Sequence, residues 1–309
     1  MTAFDGTTDR FPLEKFAGER PPAPKWYIEA MRHAPEVSFT NVEGADIELL
    51  TWGEVGKPGI LLVHGNFAHA YWWGPLGPLL GRHYRVCALS FSGMGRSGWR
   101  PAYNIDLQVA EIAAAAEAGG LFACDERPTL IAHSYGGEPA LWTAARIGDR
   151  FSRAILLECG VNPVDQEGTI KPSVRTYPTM VDALSRFRLS PPQPEHHNLF
   201  ILDEIGRQGL VQDDNGEWRW RFDPHFWNKL GPYNAWPALP QAKCPLTFLY
   251  GEESVLVDAA WAALQAEAAP KGTTFVPMVA TGHHMMIDQP LAVLSAIQST
   301  IEESRRNRG

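Results

Sequence analysis

Cysteine is scarce in this 309-residue chain: Cys87, Cys124, Cys159 and Cys244 lie far apart inside apolar runs, with no CxxC pair and no interleaved histidine at metal-ligand spacing. That spacing excludes a disulfide framework and a cysteine-based metal site, and a reduced, cytoplasmic protein is the expectation. Long apolar runs are missing too. No stretch reaches the roughly 18 residues that a membrane-spanning helix requires. Between Met1 and Phe16 the charges of Asp5, Asp9, Arg10, Glu14 and Lys15 interrupt any candidate secretory leader. Positive charge is the minority sign, with 27 Lys and Arg against 35 Asp and Glu and a net charge of −8. The chain therefore offers no electrostatic footprint for nucleic acid or an anionic membrane, and its expected partner is a small molecule.

What is present is a chain 45% hydrophobic and 20% charged, long and apolar enough for a large core. Residues 1–36 read as an arm broken by Pro12, Pro21, Pro22, Pro24 and Pro35, with one short helix around Trp26 to Arg32. Two β-type runs follow, Val37 to Val42 and Ile47 to Trp52, separated by a hairpin-like turn at Glu43-Gly44-Ala45. Short apolar runs then recur at Ile60 to Val63, Tyr84 to Leu89, Thr129 to Ala132, Arg153 to Leu157, Leu246 to Tyr250 and Thr274 to Pro277. Strands apolar on both faces belong in a mostly parallel sheet. Helical stretches lie between them, at Ala70 to Gly81, Ile105 to Ala118, Gly136 to Ile147, Asp258 to Ala268 and Leu291 to Ser304. Alternating strand and helix predicts a doubly wound α/β fold. The alternation breaks over 161–240, a stretch too long for a structureless loop, so an inserted, mainly helical cap interrupts a core of 37–160 and 241–309.

The strand at Thr129 to Ala132 runs through His133-Ser134-Tyr135-Gly136-Gly137 into a helix. A strand that turns sharply into a helix holds its serine strained and exposed, and needs small neighbours two residues away on each side, here Ala132 and Gly136. The same turn puts the Tyr135 N–H at a helix N-terminus, where it can stabilise an oxyanion. A serine at such a turn is also a common N-cap, and the motif by itself leaves both roles open.

Four segments in order carry a family resemblance. His64-Gly65-Asn66-Phe67 resembles the HG-x-x segment of the α/β-hydrolases, and Ser92 to Ser97 their G-x-G-x-S turn, with Ser90 where an Asp is common. The Ser134 elbow has Ala132 in place of the usual first Gly. Gly282-His283-His284-Met285-Met286-Ile287-Asp288-Gln289-Pro290 resembles the histidine loop. The resemblance implies the α/β-hydrolase fold, with Asn66 or Phe67 as the second oxyanion donor beside Tyr135 and His283, directly after Gly, as the base. His284 is expected as a pocket wall or solvated, while His64 and His133 are expected to brace and pack. His196 and His197 are adjacent and lack a carboxylate cluster, so no metal is expected.

The acid departs from the family pattern. After the seventh strand the usual Asp position is Ser254, preceded by Glu252 and Glu253. The sixth strand ends instead in Glu158-Cys159-Gly160, and a carboxylate at the end of a buried strand is costly unless a partner such as a histidine N–H satisfies it. Glu158 is therefore the expected acid and Glu252 or Glu253 the alternative. A carboxylate in that place also resembles the haloalkane dehalogenase branch, but displacement of an alkyl halide needs a carboxylate nucleophile and this chain has Ser134.

The chain is rich in Trp, with eleven residues, and Trp218, Trp220, Trp227 and Trp236 lie in the insertion. With Trp72, Trp73, His284 and Met285, the first three of these are the expected pocket walls, and their aromatic surface favours a hydrophobic substrate. Asp213-Asp214-Asn215-Gly216 reads as a hairpin turn rather than a calcium loop. The expected function is hydrolysis of a hydrophobic carboxylic ester or lactone without a cofactor. A carbon–carbon bond hydrolase, an acyltransferase, a cofactor-free oxygenase and a non-catalytic binding protein are the alternatives. A homodimer is compatible with the sequence.

Overall fold

The computed structural model describes residues 11–166, 174–192 and 198–306. Ten strands are present among them: β1 (Glu36–Val42), β2 (Ala45–Trp52), β3 (Gly59–Val63), β4 (Arg85–Leu89), β5 (Thr129–His133), β6 (Arg153–Leu157), β7 (Leu210–Gln212), β8 (Trp218–Trp220), β9 (Leu246–Gly251) and β10 (Thr274–Met278). Eight form one sheet in the order β1-β2-β4-β3-β5-β6-β9-β10. β2 runs antiparallel to both its neighbours, and the other pairings are parallel. Every residue of β3, β4 and β5 is buried, which accounts for their unbroken apolar runs. The β1–β2 hairpin closes through Glu43 and Gly44, both at positive φ, the turn whose twist matches that of its strands.

The helix Ile105–Ala118 starts at Asn104, whose side chain accepts the Leu107 N–H at 2.8 Å. Asp258 caps Ala259–Ala268 in the same way. The helix expected over Ala70 to Gly81 is instead a 3-10 turn, Ala70–Trp73, and a short helix, Gly77–Leu80. Gly74-Pro75 divides them, because proline lacks the N–H and disfavours a helical residue before it.

Between β6 and β9 the described part of the insertion holds the helices Met180–Leu184, Leu199–Gln208 and Phe226–Lys229 and the β7–β8 hairpin. Asp213 makes the hairpin turn by accepting the N–H groups of Asn215 and Glu217, both at 2.9 Å. His196 and His197 lie outside the described residues. The N-terminal arm lies against the helix Leu199–Gln208: Arg20 reaches Glu204 at 2.8 Å, Arg207 donates to the Gly18 carbonyl at 2.6 Å, and Tyr27 packs on Phe200 with ring centroids 4.6 Å apart.

Two apolar cores cover opposite faces of the sheet. Leu61, Val63, Leu130, Ala132 and Phe226 belong to one, and Ile60, Leu62, Ile131, Trp73 and Met285 to the other, as alternation along each strand requires. Cys87, Cys159 and Cys244 are buried and unpaired. No helix among the described residues is long and apolar enough to cross a membrane.

Candidate active site

β5 delivers Ser134 at its C-terminal end. The residue sits at φ +53°, a left-handed conformation that costs a side-chain-bearing residue about 1–3 kcal/mol and that the surrounding packing must enforce. The enforcing contact is close. A Cβ on Gly136 would stand 2.4 Å from the His64 carbonyl oxygen, so only glycine lets the elbow approach the loop after β3.

Ser134 Oγ lies 2.8 Å from His283 Nε2, and His283 Nδ1 lies 3.0 Å from Glu158 Oε2. Glu158 is the residue immediately after β6, also at positive φ, +54°. Its side chain is inaccessible to solvent, and three donors meet its two oxygens: the Gly251 N–H at 2.6 Å on Oε1, and the Ser254 hydroxyl at 2.6 Å with the His283 ring on Oε2. Ser254, at the position where the family pattern has its acid, thus braces the Glu158 carboxylate at the end of the neighbouring strand. The side chains of Glu252 and Glu253 are exposed. The loop carrying His283 is tied down by Asp288, which accepts the Gly282 N–H at 2.8 Å.

His133 donates from Nε2 to the His283 carbonyl oxygen at 2.9 Å, and burial, reinforced by the neighbouring His283, pushes its pKa down to about 3. The ring is therefore neutral. His64 has both nitrogens engaged: Nδ1–H donates to the Gly65 carbonyl at 2.7 Å and Nε2 accepts the Phe91 N–H at 3.0 Å. Burial lowers its pKa to about 4, and the neutral ring pins the β3 loop to the β4 loop. Ser90 is pinned there as well, donating to the buried carboxylate of Glu48 at 2.8 Å.

Asn66 and Tyr135 face one cavity with Ser134, Glu158 and His283. Tyr135 is the second residue of the 3-10 turn Ser134–Gly136, where the first N–H groups have no partner within the turn. Asn66 Oδ1 accepts the Trp227 indole N–H at 3.0 Å, which ties the insertion to this loop. Phe67 stands at φ +49° and turns its ring onto Phe222, at a centroid distance of 4.7 Å, rather than into the cavity.

The cavity has a volume of about 300 Å³. Trp227, Tyr233, Trp261 and Leu256 give it apolar walls, while Glu138, Asn162 and Gln166 add polar groups. Of the pocket residues expected from the sequence, the structure brings only Trp227 to this cavity. Trp72, Trp73 and Met285 lie in the core on the other face of the sheet, and Trp218 and Trp220 pack against that same core from the hairpin. Trp72 stacks on His133 with centroids 6.4 Å apart, and His284 is buried behind His283 with its Nε2 3.2 Å from the Pro191 carbonyl. Closeness in sequence to the oxyanion segment or the base does not fix the face of the sheet, and that misplaced these side chains. Glu138 escaped notice although it lies four residues after Ser134, one helical turn along, a spacing that brings side chains to one side.

His133, His283 and His284 bring one ring nitrogen each within 4.8 Å of one another, the grouping of metal-ligating side chains found among the described residues. Both nitrogens of His283 and the Nε2 of His133 are already hydrogen-bonded, so ligation would have to break the Ser134–His283–Glu158 chain. The arrangement suits proton transfer from a serine hydroxyl to an imidazole beside a carboxylate.

The model of the alpha/beta hydrolase family matches residues 60–296. The chain is 23% identical over 250 residues to the esterase YbfF of Escherichia coli, which covers 79% of this chain and 93% of that one. It is 29% identical over 116 residues to the lipase LipV of Mycobacterium tuberculosis, 38% of this chain and 42% of the other. The thioesterase domain from the curacin biosynthetic pathway superposes with a TM-score of 0.69 at 22% identity, over 86% of this chain and 99% of that one. With the family match spanning most of its length on a sheet of this order, and with similarity to an esterase and a lipase, the chain belongs to the alpha/beta hydrolase family.

Proposed function

We propose that the protein is a serine carboxylic-ester hydrolase that acts on esters or lactones of apolar small molecules. The observation that carries this reading is the continuous hydrogen-bonded chain from Ser134 Oγ through His283 to Glu158, opening on a cavity walled by Trp227 and Tyr233. Ser134 Oγ attacks the substrate carbonyl carbon while His283 Nε2 takes its proton, and Glu158 stabilises the imidazolium through Nδ1–H. The oxyanion that forms meets the Tyr135 N–H and that of Asn66 or Phe67, with Asn66 favoured because it faces the cavity. His283 returns its proton to the alkoxide leaving group, and the acyl group remains on Ser134. Water, deprotonated by His283, then cleaves that acyl-enzyme and regenerates the serine. This chemistry requires no cofactor. The names of the E. coli esterase and the M. tuberculosis lipase support ester cleavage.

The test is covalent. A fluorophosphonate is expected to label the protein stoichiometrically, with the adduct mapped to Ser134 by peptide mass spectrometry and with p-nitrophenyl ester hydrolysis lost in proportion. Labelling elsewhere, or full turnover after Ser134→Ala, overturns the proposal.

A further inference from the structure

The turn after β3 that carries Asn66 and Phe67 is strained. The Ala68 N–H closes it by donating to the Gly65 carbonyl at 3.3 Å, with Asn66 and Phe67 as its two central residues. Phe67 stands at φ +49°, a left-handed conformation that glycine tolerates and that a side-chain-bearing residue adopts only under constraint from its surroundings. The constraint comes from the insertion. Trp227 donates its indole N–H to Asn66 Oδ1 at 3.0 Å, and the Phe67 ring lies against Phe222 and Trp227, with centroids 4.7 and 6.4 Å away. The Trp227 ring also meets the Tyr135 ring edge-on at 5.3 Å. One buried side chain of the insertion thus touches each of the three residues proposed to hold the oxyanion.

Trp227 is itself held to the sheet-bearing core. Asp223, inaccessible to solvent, donates its N–H to the Gly93 carbonyl at 2.7 Å, and its carboxylate accepts the Tyr103 hydroxyl at 2.8 Å and the Lys229 ammonium at 2.6 Å. The Tyr103 N–H in turn donates to the Lys229 carbonyl at 3.0 Å. These bonds bracket the helix Phe226–Lys229 at both ends and fix Trp227 in place. A buried indole N–H needs an acceptor, but any backbone carbonyl would serve. This one uses the side chain of an exposed asparagine on the strained turn.

We propose that Trp227 is a positioning residue: through the Asn66 side chain and the Phe67 ring it holds the backbone N–H groups of Asn66 and Phe67 where the substrate oxyanion develops. The inference rests on the ester-hydrolase reading of the same cavity, and gives the insertion a part in turnover as well as in the shape of the pocket. Donors placed beforehand contribute to rate because they need no reorganisation as charge develops, and a misplacement of about 1 Å caused by an outlying change can cost about 10² in rate.

Trp227 also walls the cavity, so the test separates holding from contact. Trp227→Phe keeps an aromatic ring beside Phe67 and Tyr135 and removes the N–H. On p-nitrophenyl acetate, butyrate and octanoate it is expected to lower kcat by one common factor of about ten to a hundred, with KM within about threefold. An effect confined to KM, or one that grows with acyl length, makes Trp227 a wall only and overturns the inference. Asn66→Ala retains the backbone N–H and truncates an exposed side chain, so it stays informative if Trp227→Phe fails to fold. A kcat loss of the same order is expected from it, and full activity overturns the inference. The double variant should lose no more than about twofold beyond the larger single effect, whereas factors that multiply show two independent roles and overturn it. Hydrogen exchange at the Ala68 N–H reads the turn without turnover, and in Trp227→Phe it is expected to accelerate at least about fivefold while the amides of β3 keep their rates. Unchanged exchange at Ala68 removes the positioning role even if Ser134 is labelled and esters are cleaved. Faster exchange sustains the hold on the turn even if ester cleavage fails its own test.

Discussion

Replacing Glu158 by Gln changes one oxygen to an NH2 group in a site where both oxygens are acceptors. If the new amide keeps its oxygen toward the Gly251 N–H, its NH2 faces His283 Nδ1 and the Ser254 hydroxyl. His283 must then carry its proton on Nε2, where it points at Ser134 Oγ and leaves no lone pair to act as base. If the amide flips, its N–H groups confront the Gly251 N–H at a position where the carboxylate oxygen stands 2.6 Å away, and a buried donor goes unmet. Either arrangement removes the negative charge that stabilises the imidazolium. Loss of the correct tautomer in such a relay costs about 10⁴ in kcat, or about 5.4 kcal/mol at 1.36 kcal/mol per decade. We expect Glu158→Gln to lower kcat on a p-nitrophenyl ester by about 10³–10⁴ with KM within about threefold, since the group does not bind the ground state differently. Glu253→Gln, whose side chain is exposed, should stay within about twofold of the parent. Steady-state rates normalised by active-site titration measure both. Retention of more than about a tenth of the activity by Glu158→Gln would refute the relay as drawn, and a collapse in Glu253→Gln or Glu252→Gln would move the acid to the loop after β9.

Acid should destabilise the fold before most carboxylates titrate. Burial holds His64, His69 and His133 at pKa values of about 4, 3 and 3, against about 6.5 when unfolded, so the unfolded chain binds up to three more protons between pH 6.5 and about 4. Burial raises Glu138 to about 7 and raises Glu111 as well, which gives the native state up to two extra protons in part of that window. Below about pH 5.5, where the unfolded chain carries nearly all three histidine protons, three against at most two leaves the histidines ahead by about one proton, or about 1.4 kcal/mol per pH unit, and the melting temperature followed by circular dichroism should fall from pH 5.5 to 4.5; a rise would refute the balance. Arg100→Ala should be severely destabilising, because it leaves Glu111 buried without the guanidinium 3.0 Å away that also holds the Val42 and Glu43 carbonyls. A loss of about 3–5 kcal/mol is expected from urea unfolding, and a loss under about 1 kcal/mol would show that the pair is dispensable.

The order of strands and helices was legible because each apolar run is buried on both faces and each break carries Gly, Pro or a capping side chain, as at Asn104 and Asp258. The Ser134 elbow and the His283 loop were legible as local patterns whose function depends on their own backbone. The contact of Glu158 with His283 could be read from cost alone, since a carboxylate closing a buried strand demands a partner. The pocket was not legible. Trp72, Trp73 and Met285 lie on the opposite face of the sheet from the core that includes Trp227, and facing is decided by long-range packing that no local pattern records. Glu138 was invisible for a related reason: a glutamate in the first turn of a helix is what the helix dipole favours at any surface, and only the neighbouring chain segments bury this one.

The position of the Glu158 carboxylate follows from the sheet. β6 and β9 are neighbours paired in parallel, with Leu157 opposite Leu249, so the residue that ends β6 comes out beside the end of β9. A carboxylate starting from either strand can therefore reach the same point in space, and the Gly251 N–H at the end of β9 already marks it. Reaching it from β6 imposes conditions that this chain meets together. Glu158 adopts a left-handed backbone at +54°, as Ser134 does at +53° at the end of adjacent β5, so the two side chains that flank His283 are both delivered by strained residues at the ends of neighbouring strands. The vacated position after β9 holds a side chain too short to compete for His283 but able to donate, and the Ser254 hydroxyl bonds Glu158 while accepting the Leu256 and Val257 N–H groups. An Asp at 254 would set a second carboxylate against the first, and mutual repulsion would keep one of them protonated. Glutamate after β6 and serine after β9 are therefore a single device, and neither substitution makes physical sense without the other.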